Sequence, residues 1–117
     1  MPNVRPLNKR YGISKHAFLT AYSYCHQYRE WHKALASGAR EDDHGSSVAE
    51  IEEKIRKIEN TVAEAVQDYP ALYPFMLEYV TEEGTTFQQM QQKGIPCGST
   101  LFYTLRRRFY FLMSGRI

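Results

Sequence analysis

Residues Thr85–Ile117 read TTFQQMQQKGIPCGSTLFYTLRRRFYFLMSGRI. The stretch holds Lys93, Arg106, Arg107, Arg108 and Arg116 and no acid. A threonine ahead of a short apolar-polar run is a helix N-cap, so Thr85 or Thr86 opens a helix over about Phe87 to Gln92. Gly94 stands where a left-handed C-cap would end it. A second helix starts near Gly98 or Ser99 and runs to about Met113. Phe102, Leu105, Phe109 and Leu112 step by three, four and three, and face a core. On that register Thr100, Tyr103, Thr104, Arg107 and Arg108 form an outward arc, because three consecutive arginines cannot share one helical line. Two helices around a tight glycine turn, the second one basic, make the helix-turn-helix pattern that presents a cation-rich helix to DNA.

Working back towards the N-terminus, the chain reads as helical throughout. Residues 1–13 form an irregular basic arm broken by Pro2, Pro6 and Gly12. Ser14 caps a long helix to about Ser37, with Phe18, Ala21, Tyr22, Cys25, Tyr28, Trp31 and Leu35 as its apolar stripe. The polar run GAREDDHGSS over residues 38–47 reads as a flexible loop. Ser47 with Glu50 then makes a capping box for a helix from Val48 to about Gln67. There Val48, Ile51, Ile55, Ile58, Val62 and Ala65 keep heptad spacing. That rhythm suits a short dimerising coil or a core face packed on the first helix. Intramolecular packing is favoured, because short isolated coils are marginal. Pro70 or Pro74 opens a further helix, which Glu82-Glu83-Gly84 ends. The expectation is an all-α fold: a single domain and compact bundle of about five helices, with a bundle over 14–83 and a helix-turn-helix over 85–113.

A chain of 117 residues suits one domain, and 43% hydrophobic with 24% charged residues is ordinary for a globular one. No apolar run approaches the ~18 residues of a membrane span, and no apolar core follows the basic N-terminus as a secretory signal requires. Cys25 and Cys97 lack metal-like or redox-like spacing. A reduced, cytoplasmic location and no membrane partner are therefore expected. The net charge of +2 hides segregation. Residues 1–16 carry Arg5, Lys9, Arg10 and Lys15 without an acid, whereas residues 41–83 carry twelve acids against Lys54, Arg56 and Lys57. Two basic ends around an acidic middle suit a molecule with one face for a polyanion, unless the two signs neutralise each other in the fold.

In a helix-turn-helix the second helix exposes polar and basic side chains near its start. Phe87 and Met90 would anchor the first helix and Ile95 the turn. Ser99 and Thr100 would lie nearest base edges or phosphates, and the arginines would supply phosphate contacts or one bidentate guanine contact. One feature departs from the common motif. Its buried apolar residue follows the turn glycine by six positions, which falls on Thr100, so Leu101 or Phe102 must serve and the turn must be longer.

The ending GIPCGSTLFYTLRRRFYFLM and the opening YGISKHAFLTAYSYCHQYREW together resemble small prophage proteins of Gram-positive bacteria. These are similar to the phage late-gene transcriptional regulators of the RinA and ArpU type, whose C-terminal helix-turn-helix resembles region 4 of sigma factors. The resemblance covers Tyr11–Trp31 and Thr86–Met113. It implies DNA binding through the last helix without catalysis, with Thr100, Tyr103, Arg106, Arg107 and Arg108 as DNA-facing residues.

Other constellations are weaker. His16, His26 and His32 near Cys25 lack an (i, i+4) histidine pair, so they read as packed or solvated side chains and not as a metal site. Cys97, near a helix N-terminus, would have a lowered thiol pKa, but neither a base nor an oxyanion pocket accompanies it. No cofactor is implied. The reading is a non-enzymatic regulator that binds double-stranded DNA sequence-specifically. Its contacts are Ser99, Thr100, Tyr103, Thr104, Arg106, Arg107 and Arg108, with Lys9 and Arg10 of the arm. Partners beyond DNA would be a second copy in a homodimer, or a host protein such as RNA polymerase. The rivals are a phage-encoded inhibitor that engages a protein through the acidic middle, and a small terminase-like packaging adaptor.

Overall fold

The computed structural model describes residues 12–38 and 45–117. Lys9, Arg10, the rest of the arm before Gly12, and residues 39–44 of the polar loop lie outside the described residues. Among those described are six α-helices, α1 (Lys15–Cys25), α2 (Tyr28–Ala36), α3 (Val48–Ala65), α4 (Tyr73–Thr81), α5 (Phe87–Gln92) and α6 (Ser99–Ser114). A 3-10 turn over Pro70–Leu72 precedes α4. The fold is all-α, as expected.

Three helix starts fall where the caps predict. Ser14 Oγ accepts from the Ala17 amide at 3.0 Å. Ser47 and Glu50 form a reciprocal capping box, as do Thr86 and Gln89. Each satisfies amide donors that a helix leaves unpaired in its first turn.

The single helix expected over Ser14–Ser37 is divided. At Gln27 the backbone ladder slips to an i−3 bond, from the Gln27 amide to the Tyr24 carbonyl at 3.2 Å. The His26 ring stacks on Tyr22 with centroids 4.0 Å apart, and its Nδ1 lies 2.7 Å from the Tyr22 carbonyl oxygen. Local side-chain bonds of this kind compete with the helical ladder. The two halves also serve different neighbours, α1 packing on α6 and α4, and α2 on α3.

The heptad stripe of α3 is covered within the chain. Ile51, Ile58, Val62 and Ala65 are fully buried and Ile55 nearly so, while Val48 at its start is exposed. α3 contacts α2, α4 and α6, so the intramolecular alternative holds. α6 is the other central element, lying chiefly against α3 and α1. It buries Phe102, Leu105, Arg106, Phe109, Tyr110 and Met113. Met113 takes the last core position that the 3-4-3 pattern assigns to Leu112, which is half-buried.

Candidate nucleic-acid interface

The turn between α5 and α6 is a Schellman motif. The Ile95 amide donates to the Met90 carbonyl and the Gly94 amide to the Gln91 carbonyl, both at 3.0 Å. Gly94 takes φ +85°, a conformation open to glycine and strained for other residues. Met90 and Ile95, the apolar pair that accompanies such a turn, are both buried. The connection continues through Pro96 and Cys97 to Gly98, the N-cap of α6. Thr100 is exposed and Phe102 fully buried, so Phe102 fills the core position that a shorter turn would give to residue 100. The Phe102 ring meets Phe87 of α5 at 5.5 Å, and Tyr103 lies 6.1 Å from the same ring.

The first turns of α5 and α6 line an open groove of about 550 Å³ formed by Thr86, Phe87, Gln88, Ser99, Thr100, Tyr103 and Arg107. No acid lines it. Gly98 offers no side-chain acceptor, and α6 has no side-chain cap bond. Its first-turn amides therefore remain at the positive end of the helix dipole. Ser99, Thr100, Tyr103 and Arg107 are thus brought together as predicted, and Thr104 adjoins them through its bond to Arg107. Thr86 and Gln88 were not foreseen there. Their signal is the Thr86 cap that opens α5, a helix expected only to brace α6.

The three arginines have three different environments. Arg106 is 2% exposed, and its guanidinium lies 5.4, 5.8 and 5.2 Å from the ring centroids of Phe18, Tyr79 and Tyr110. A side chain enclosed in this way cannot meet DNA in the folded protein, which corrects the expectation for Arg106. The helical period explains it: Phe102, Arg106 and Tyr110 recur every four residues on the buried face. Arg108 turns to the end of α3, where its Nη1 donates to the Ala65 carbonyl at 3.3 Å and lies 3.9 Å from Asp68. Cations at a helix C-terminus satisfy its last carbonyls and oppose its dipole. Arg108 is therefore engaged in the bundle and is absent from the groove. Arg107 faces the groove, and its Nη2 donates to Thr104 Oγ1 at 3.1 Å.

Neighbouring cations are also matched. Lys93 Nζ donates to Glu78 Oε1 at 2.6 Å, and this bond is the main reason that the Glu78 carboxyl is held below its usual range. Arg116 pairs with Glu64 and donates to Thr61 Oγ1 at 2.9 Å. Arg29 reaches Glu82 at 2.6 Å. Lys93, Arg108 and Arg116 of the basic end thus pair with Glu78, Asp68 and Glu64 of the acidic middle. Among the described residues no ion pair is formed by Arg107.

Burial raises the Cys97 thiol pKa, in place of the lowering expected from a helix N-terminus. Cys25 is fully buried and its thiol is likewise pushed up. Among the described residues no cluster of three or more His, Cys, Asp or Glu could hold a metal ion, and no helix is long and apolar enough to cross a membrane. Compared with protein-family models, curated proteins and solved structures, the chain matches none.

Proposed function

We propose that this protein binds double-stranded DNA, without catalysis, as a transcription regulator of phage or mobile-element type. The observation that carries the reading is the acid-free groove between the first turns of α5 and α6, with Arg107 directed into it. Exposed Ser99 and Thr100, with the uncapped amides of α6, supply donors for phosphate oxygens. Gln88 and Arg107 supply the side-chain types that pair bidentately with adenine and guanine. The resemblance to RinA- and ArpU-type regulators points the same way.

Gly12 and Ile13 share a hollow with Phe111, Leu112 and Arg116 at the end of α6. Arg5, Lys9 and Arg10, which precede them in sequence, would hold flanking phosphates. A homodimer on paired half-sites would need a surface other than the α3 heptad face, which is covered. The inhibitor reading has less support, because Glu64, Asp68, Glu78 and Glu82 already pair with cations of the same chain.

The test is anisotropy of a labelled duplex across a salt series. With four phosphate-contacting cations, log K should fall with log salt at a slope of roughly −3 to −4. Absence of binding at ~50 mM salt overturns the reading.

A further inference from the structure

Resting on the DNA reading, we infer that Thr104 is a positioning residue that holds Arg107 ready for a bidentate contact with two adjacent acceptors on the duplex. The geometry is a two-step relay along α6. Thr104 Oγ1 donates its proton to the Thr100 carbonyl at 2.9 Å. A hydroxyl has one donor and two acceptor lone pairs. With its proton committed, Thr104 can only accept from Arg107, whose Nη2 donates to it at 3.1 Å. Thr104 lies three residues before Arg107, the spacing that makes neighbours on a helix surface.

The bond draws the guanidinium back along α6 towards Thr100 and Tyr103, which line the groove with it. Arg107 Nε is buried without a partner. One Nη2 donor is therefore held by protein, Nε is enclosed, and the donors left for a ligand are those on the terminal nitrogens. An unrestrained arginine carries about 2 kcal/mol of rotamer entropy. A side chain already held in place loses less of it on binding, which is the general advantage of preorganisation. The position matters because α6 offers no substitute. Arg106 is enclosed by rings and Arg108 is bound to the end of α3. Two neighbouring acceptors on DNA have two sources, the O6 and N7 atoms of guanine and the oxygens of a phosphate.

The experiment is a double-mutant cycle on Thr104→Val and Arg107→Ala, with poly(dG)·poly(dC) and poly(dA)·poly(dT) duplexes as probes. Valine keeps the branched shape and removes both hydrogen bonds. Thr104→Val should weaken binding about 3- to 10-fold, the range of one ordinary hydrogen bond, because only the positioning of Arg107 is lost and its own contact remains. Thr104→Ser should restore it. In the Arg107→Ala background Thr104→Val should have no further effect, since a positioning residue acts only through the group it positions. An equal loss in both backgrounds, or no loss in either, overturns the positioning role while leaving DNA binding intact. Failure of the wild-type protein to bind either duplex overturns the DNA reading itself. A larger Arg107→Ala loss on the dG·dC duplex identifies guanine as the acceptor, and equal losses identify phosphate.

Discussion

Replacing Arg106 with alanine should unfold the protein more readily without weakening DNA binding by the folded molecules. The side chain is 2% exposed, with Phe18, Tyr79 and Tyr110 around its guanidinium at 5.2–5.8 Å. Truncating a large buried side chain costs about 2–5 kcal/mol. A desolvated cation over an aromatic face contributes up to about 2 kcal/mol. The two overlap, because the same atoms fill the space and make the ring contacts. A loss of about 3–4 kcal/mol results, a large fraction of the roughly 5–15 kcal/mol that holds a domain together. Arg106→Lys should lose less, about 1–2 kcal/mol, because an ammonium lacks the planar stacking surface of the guanidinium. Urea unfolding followed by circular dichroism measures both. With m of about 1–3 kcal/mol per molar urea, the alanine midpoint should drop by about 1–4 M. A change within about 0.5 kcal/mol, typical of surface substitutions, would refute the enclosed position. So would a stable variant with weakened DNA binding.

Gly94→Ala should destabilise by about 1 kcal/mol or more, because φ +85° suits glycine alone there, and thermal melting would detect it. Gly98→Ala, where φ is negative, should cost less. Alkaline titration should also be informative. Burial raises the Tyr24 hydroxyl from 10.0 to about 12, and raises Tyr22, Tyr28, Tyr73 and Tyr110 as well. The unfolded tyrosines lose their protons first, so stability should hold below pH 10 and fall as pH rises from there through the folded pKa values. A flat profile through pH 12 would contradict that burial. Glu78 has the opposite sign: its contribution is present above the usual carboxylate pKa and is lost on acidification, and Lys93→Met should blunt that loss. Deleting residues 1–11 should reduce the salt slope of DNA binding by about three, one for each of Arg5, Lys9 and Arg10. An unchanged slope would remove the arm from the interface.

Much of the fold was legible because caps are local. Ser14, Ser47 with Glu50, and Thr86 with Gln89 carry their signals within four residues, and Gly94 does the same for the turn. The break at His26–Gln27 was not legible, because the apolar stripe runs through it from Cys25 to Tyr28. Only the different neighbours of α1 and α2 make it necessary. The arginine cluster separates the two kinds of sequence inference. The helical period already left Arg106 off the outward arc, whereas the resemblance assigned it to DNA. The structure follows the period and encloses it. The period placed Arg108 on the outward arc, but it turns aside because the end of α3 lies beside it, a tertiary contact 43 residues distant in sequence. Pairing of the acidic middle with Lys93, Arg108 and Arg116 depends on the same long-range packing.

The central claim is that Arg107, alone of the three arginines, meets DNA. Salt-dependence of duplex binding for Arg107→Ala and Arg108→Ala, measured side by side, tests it most directly. Arg107→Ala should weaken duplex binding, flattening the log–log slope by about one unit where its acceptor is phosphate, and Arg108→Ala should change neither affinity nor slope. Unchanged affinity and slope for Arg107→Ala, or an equal loss for both, would contradict the claim.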